Sequence, residues 1–348
     1  MTGSKIANRL QALVVLLLYV FDVVMVVACA FVHLTHGGTS NCFGGFTIAI
    51  FCVGGFFTNW FNFYRHEKPR MEQRQWPKKI QKVLFLFIPS QAFLVWTWEW
   101  WKNPLSWTAN YWVATLRLFY TTTGSLLQAT LQTYIIIDLW WDLEVAYEDI
   151  CVMMAAAVFL ALHSVLGVCI FVWKETYEEE HEVPRTRDFV FIVISVSLNM
   201  CGRIVSMAMV AAVINWGWMI GGLAAPFFLN YALCLYTTFP LSEGSFGQLV
   251  ARCTLPIPTA LLFALSVSKD KVATVLTTIC WLCFSLPQIV THHDTAIHWL
   301  VWGVPFLGQL VAFVLMMIKW SIFQTAFTRF GRLLEVNKET TNRTKEEV

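Results

Sequence analysis

The chain reads as a series of long apolar runs separated by short polar stretches. Runs with no charge or almost none cover Leu10 to Val32, Phe43 to Phe63, Val83 to Trp98, Tyr111 to Ile137 and Ile150 to Trp173. The second half adds Phe189 to Ile214, Trp216 to Phe239, Leu255 to Val267, Val272 to Thr291 and Ala296 to Ile318. Most have the roughly 17 to 25 residues that a helix needs to cross hydrocarbon. Backbone polar groups in lipid must be satisfied within the segment, so runs of this kind are predicted to be helices. Val83 to Trp98 contains Pro89, and the short run Leu255 to Val267 opens with Pro256 and Pro258. These two are candidates for re-entrant helices. The fold expected is therefore all-α: a polytopic integral membrane helical bundle of about eight to ten membrane segments. It is expected to be a single transmembrane domain over 1–318 with a cytoplasmic tail over 319–348.

Composition agrees with that pattern. Hydrophobic residues make up 57% and charged residues 13%, with a mean hydropathy of +0.59, which leaves no room for a separate soluble domain. The net charge of +2 is small, but the bases are unevenly placed. Arg65, Lys68, Arg70, Arg74, Lys78, Lys79 and Lys82 face only Glu67 and Glu72, marking a cytoplasmic loop. Lys5 and Arg9 at the N-terminus, and Lys319, Arg329, Arg332, Lys338, Arg343 and Lys345 near the C-terminus, put both ends on the same side. The same count assigns the acidic stretch Asp138 to Asp149 to the inner side, where it fits least well. The first run is long enough to act as a signal anchor and has no cleavage-site pattern. The sequon at Asn342 falls in the expected cytoplasmic tail, where it would stay unmodified.

Several chemistries find no support. There is no nucleotide-binding glycine loop, no His-Glu-x-x-His helix and no Gly-x-Ser-x-Gly elbow, so no enzyme activity and no cofactor are expected. His292, His293, Asp294 and His298 read as an interfacial loop, because helical spacing would align only Asp294 with His298. Most of the 10 cysteines lie inside apolar runs and read as packing residues, including Cys280 and Cys283 in their C-x-x-C. Cys42 and Cys253 are the pair placed for a disulfide. Trp96, Trp98, Trp100, Trp101, Trp107 and Trp112 cluster at one boundary in the manner of an interfacial aromatic belt.

What stands out is polarity at membrane depth. An ionised side chain there costs from ~3 to more than 10 kcal/mol unless it faces protein, water or a polar substrate. Asp22, Arg117 and Arg203 are such residues. Arg203 and Asp22 each fall near the middle of a run, so a salt bridge between them is the expected way to tolerate both. Tyr111 to Ile137 also carries Thr121, Thr122, Thr123, Ser125, Gln128, Thr130, Gln132 and Thr133. Gln128 and Gln132 are one turn apart and share a face. Asn199 lies one turn before Arg203, and Asn59 and Asn62 lie near the inner end of the second run. Such a strip serves either as interhelical hydrogen bonding or as a path for a polar group.

These residues carry a resemblance. Arg117-Leu118-Phe119, followed by Ser125-Leu126-Leu127-Gln128-Ala129-Thr130-Leu131-Gln132-Thr133-Tyr134-Ile135, resembles the Glu-Ser-x-Pro-Gln-x-x-x-Gln-x-Tyr-Ile helix of the XK-related family. Phe21-Asp22 is similar to that family's Phe-Asp opening, Gly202-Arg203 to its Ser-Arg, and the basic loop after Tyr64-Arg65 also fits. Departures are Gly124 and Leu127 where the family has an acid and a proline, and Val26 where it has its next acid. Characterised members include phospholipid scramblases. The resemblance implies lipid movement between leaflets without nucleotide, at the plasma membrane, along a polar track of Asp22, Arg117, Ser125, Gln128, Gln132, Asn199 and Arg203. Membrane phospholipids are the implied partners, together with a partner membrane subunit or a second copy of the chain, and no nucleic acid. Neither terminal segment, Met1 to Arg9 nor Lys319 to Val348, contains aspartate, so the caspase switch of some members is not expected. A multi-pass receptor or sensor built on a locked Asp22–Arg203 pair, a secondary transporter of a small solute, and a membrane scaffold are the rival readings.

Overall fold

The computed structural model describes residues 2–36, 40–63, 88–139, 147–177, 186–214, 216–238, 270–291 and 296–326, with isolated positions between 253 and 261. Every element in these residues is helical. The first half comprises α1 (Thr2–His36), α2 (Ser40–Asn62), α3 (Gln91–Lys102), α4 (Trp107–Tyr120), a π-helical turn (Thr121–Ser125), α5 (Leu126–Leu139) and α6 (Tyr147–Tyr177). The second comprises α7 (Thr186–Val213), α8 (Trp216–Thr238), α9 (Lys271–Thr291) and α10 (Ala296–Ile318).

Among the described residues, five helices are long and apolar enough to cross a membrane: those covering Ser4–Thr35, Ser40–Asn62, Tyr147–Thr176, Thr186–Ala212 and Gly217–Leu235. A sixth is obtained if Gly303–Ile318 is joined to Trp320–Ala326, which bends away by 82°. The described residues thus show five or six of the eight to ten segments expected. The run Tyr111 to Ile137 lies in an unbroken helical stretch, but the π turn divides it into two α-helical pieces of 14 residues each. Val83 to Trp98 begins outside the described residues, and most of Leu255 to Val267 lies outside them.

The outer faces are apolar, unlike those of a water-soluble bundle, and the interior combines an apolar core with buried polar groups. On α1, Leu10, Val14, Leu17, Val24, Val27 and Phe31 are exposed, whereas Asp22 is fully buried. Exposed apolar surface on this scale marks contact with lipid or with another protein.

Side-chain pairs fix the directions of the helices. Asn8 Nδ2 donates to Pro104 O, and Tyr19 packs on Phe93, so α3 runs antiparallel to α1 and ends beside its first turns. α3 starts inside the bundle: Asn59 of α2 donates to Ile88 O and accepts from Ala92 N–H at 2.9 Å, capping a helix whose own N-cap, Ser90, makes no capping bond. Ser90 takes the left-handed conformation, φ 56°. The backbone at Pro89 also comes so close to Gly55 that a Cβ there would lie 2.7 Å from Pro89 Cα. At 12 residues, α3 is about 18 Å long, short of a membrane's thickness.

α3 therefore leads the chain back to the end where α1 begins, and α4 sets out from that same end. His33 meets Gln132, and Asp22 meets Ser125, so α4 and α5 run parallel to α1. This bears on the count of crossings that sets Asp138 at the same end as the N-terminus. Asp138 stands at the end of the bundle opposite Lys5 and Arg9, because α3 turns back and does not advance the chain across. α6 returns antiparallel, with Ser164 against Thr121 and Lys174 against Asn110. α10 runs antiparallel to α7, with Gln309 on Ser206 and Lys319 on Asp188. Thr176 donates to Ile322 O, so α10 ends at the end of the bundle where α1 begins.

Candidate functional site

A polar cluster at mid-length of α1 is assembled from α1, the π turn and α6. Asp22 Oδ2 accepts from Ser125 Oγ at 2.6 Å and from His163 Nδ1 at 3.0 Å, and all three side chains are buried. Arg117, only 2% exposed, stands close enough for its charge to act on Asp22. Both donors use the same carboxylate oxygen. Asp22 Oδ1 and the Nε and Nη2 of Arg117 have no hydrogen-bond partner in the structure.

The local backbone explains why Ser125 reaches Asp22. Thr121, Thr122 and Thr123 donate their hydroxyls to the carbonyls of Arg117, Leu118 and Phe119, four residues earlier. Such back-bonding competes with the regular ladder and bends helices. The Leu126 N–H then bonds Thr121 O, five residues back, and Ser164 Oγ donates to the same carbonyl at 3.1 Å. The widened turn is admitted on its other side by glycine: a Cβ on Gly54 would lie 2.8 Å from Gly124 Cα. Gly124, where the XK-related motif has an acid, thus lets α2 lie against the π turn. Single π turns inside α-helices recur at functional sites.

The cluster continues along α5. His33 Nε2 donates to Gln132 Oε1 at 3.1 Å, Gln132 Nε2 donates to Thr47 Oγ1 at 3.3 Å, and Gln128 Nε2 donates to Thr47 O. Ser125, Gln128 and Gln132, expected to share a face, therefore line one continuous strip against α1 and α2. All three are buried.

Arg203 does not join them. Its guanidinium, 1% exposed, lies 5.6 Å from the centroid of the Trp281 ring on α9. The expected Asp22–Arg203 salt bridge is absent, because α7 turns its arginine toward α9 while Asp22 faces Ser125 and His163. Asn199, buried one turn earlier on α7, sits with Arg203 and not with Asp22. The track of seven residues thus divides: Asp22, Arg117, Ser125, Gln128 and Gln132 come together, and Asn199 and Arg203 form a separate locus.

Three contributors were missed in the sequence: His163, His33 and Thr47. The signal for His163 was present, since an ionisable residue inside Ile150 to Trp173 meets the same test that singled out Asp22. Cys42 and Cys253 are both free and exposed, so the expected disulfide is not formed. Cys280 and Cys283 are likewise free. No group of His, Cys, Asp and Glu able to hold a metal occurs among the described residues; His292, His293 and Asp294 and the His298 side chain lie outside them. The basic loop Arg65 to Lys82 and Asn342 also lie outside them.

No protein-family model matches this chain, and the comparison with curated proteins finds no relative. The functional reading therefore rests on the cluster itself. A buried carboxylate and a buried guanidinium, each with unused hydrogen-bonding capacity, present opposite charges to any dipolar group that reaches them.

Proposed function

We propose that this chain is a multi-pass membrane protein, XK-related-like, that moves phospholipids between leaflets without nucleotide. Both termini lie on the cytoplasmic side in this reading, and the plasma membrane is the membrane that the resemblance implies. The observation that carries it is the buried Asp22–Arg117 neighbourhood. A zwitterionic headgroup bears a phosphate and an ammonium, matched in sign by Arg117 and by the open oxygen of Asp22. Ser125, Gln128 and Gln132 continue the polar strip on one helix, replacing water around a headgroup while the acyl tails stay in lipid. The strip is closed to solvent here, so passage requires α2 or α6 to move off the π turn. With the N-terminus taken as cytoplasmic, Asp138, at the opposite end of the bundle, falls on the outer side in this reading, which supports it because the inner side is then left to the bases.

Lipid scrambling in proteoliposomes tests this reading. With fluorescent phosphatidylcholine in both leaflets, external dithionite is expected to quench well beyond half of the signal with the wild-type chain. With Asp22→Asn, quenching is expected to stop near half. Quenching that stops near half for a folded wild-type chain at several lipid compositions would count against scrambling.

The His163–Asp22 contact favours a second reading, a secondary transporter in which this closed cluster holds a small zwitterionic solute. That reading predicts solute uptake without lipid movement. The receptor reading loses its basis, since the locked Asp22–Arg203 pair it required does not form.

A further inference from the structure

An apolar groove of about 400 Å³ runs between α1 and α3, lined by Ala12, Leu13, Leu16, Leu94, Trp98 and Trp101, with the buried Thr97 among them. Thr97 turns its hydroxyl away, donating it to Phe93 O at 2.8 Å, so the walls offer almost no polar surface. The groove is far from Asp22 in kind: open, apolar and on the outer face of the bundle.

Its mouth is cationic, and helical periodicity explains why. Leu13 is preceded one and two turns earlier by Arg9 and Lys5, and Trp98 is followed one turn later by Lys102. The two helices are antiparallel and joined at that end by the Asn8–Pro104 hydrogen bond, so the three bases gather beyond the same end of the groove. All three are exposed, and the Lys102 ammonium lies 5.3 Å from the Trp98 ring centroid, at the groove's edge. The neighbouring acid on α3, Glu99, accepts from Asn103 Nδ2 at 2.6 Å.

We propose that this groove is a binding site for one anionic phospholipid, with an acyl chain between α1 and α3 and the phosphodiester among Lys5, Arg9 and Lys102. The arrangement couples an apolar slot to a cluster of positive charge with indoles at the boundary, which complements a lipid's tail and head. A neutral solute would leave the bases unused, and a soluble anion would leave the groove unused. The site is independent of lipid scrambling, and the outcome of the dithionite assay does not bear on it.

The test is photocrosslinking of the purified full-length chain in nanodiscs, comparing phosphatidylglycerol and phosphatidylcholine that carry the same diazirine-bearing tail. Adducts are mapped by mass spectrometry. Each basic residue near a lipid surface contributes about fivefold in attraction for an anionic headgroup, so the three together predict an excess on the order of a hundredfold. Phosphatidylglycerol adducts on residues 12–16 and 94–101 should exceed those of phosphatidylcholine by that order. The excess should vanish in the triple variant Lys5→Gln, Arg9→Gln, Lys102→Gln. Leu94→Trp, which fills the slot and keeps every charge, should lose adducts of both lipids there while the melting temperature stays unchanged. Equal labelling by the two lipids in the wild-type chain would overturn the proposal, as would an excess that survives the triple variant or adducts that map to other helices.

Discussion

Two buried charges in this bundle are accommodated by different means. Asp22 is held by hydrogen bonds from residues far apart in sequence, Ser125 on the π turn and His163 on α6, with Arg117 nearby. Arg203 has its guanidinium carbon over the ring of Trp281, 5.6 Å from the centroid. The first solution depends on an irregular backbone and on three elements keeping register. The second uses two regular helices and a contact that tolerates small shifts. A carboxylate accepts hydrogen bonds only, so it must recruit donors from its surroundings, whereas a guanidinium can also bind through its plane.

The contrast is broken most severely by removing the carboxylate. Asp22→Ala leaves the buried Ser125 hydroxyl and His163 Nδ1 without their acceptor, at a cost of about 1–3 kcal/mol each. The expected result is little folded protein in fluorescence-detected size exclusion. Asp22→Asn keeps the shape and an acceptor oxygen for Ser125, and should recover folded protein while abolishing transport.

Next comes the backbone that carries Ser125. Gly54→Val pushes a side chain into Gly124 and should lower stability by roughly 1–3 kcal/mol, read as a fall in melting temperature. Gly45→Ala is the control, since nothing lies within 4 Å of a Cβ there. If both glycine variants melt alike, the close approach of α2 to the π turn is not what holds the cluster together.

A smaller effect is expected farther along the strip. Gln132→Leu removes the link between His33 and Thr47, and interhelical hydrogen bonds within membranes are worth about 0.6–2 kcal/mol each. Thermal unfolding of the single and the His33→Leu double variant should show non-additive losses if the two side chains act as a pair.

The mildest change belongs to the other region. Arg203→Lys keeps the charge but replaces the guanidinium over the Trp281 ring by a compact ammonium, for a loss of about 0.5–2 kcal/mol and no effect on transport. A transport defect as large as that of Asp22→Asn, in a variant of unchanged stability, would show that Arg203 belongs to the pathway after all and would erase the distinction between the two regions.

Much of this was readable before any tertiary structure. Asp22, Arg117, Ser125, Gln128 and Gln132 were all identified as polar residues in apolar runs, and the shared face of Gln128 and Gln132 follows from helical spacing. His163, beside Ser164, is an isolated polar position in a run that is otherwise apolar, although the cost of burying an ionisable group applies to it equally. Thr47 and His33 sit near the ends of their runs, where polarity is ordinary and carries no signal. The Asp22–Arg203 pairing failed for a physical reason: opposite charges at similar depth in separate runs need not face one another, since each helix can be rotated about its axis.

Run length and composition settle the all-helical class and the apolar exterior, because a chain this poor in charge has few other ways to satisfy its backbone and its surface. The residues that must be protected from lipid are settled in the same way. Which donors protect them is decided only by packing. The π turn depends on Gly54 lying against Gly124 and on Ser164 bonding Thr121 O, contacts between segments far apart in sequence. The return of α3 depends on Asn59 capping it from another helix. The linear pattern carries no signal for the first feature; for the second, Pro89 and the shortness of Val83 to Trp98 suggest a re-entrant helix, but not what caps it.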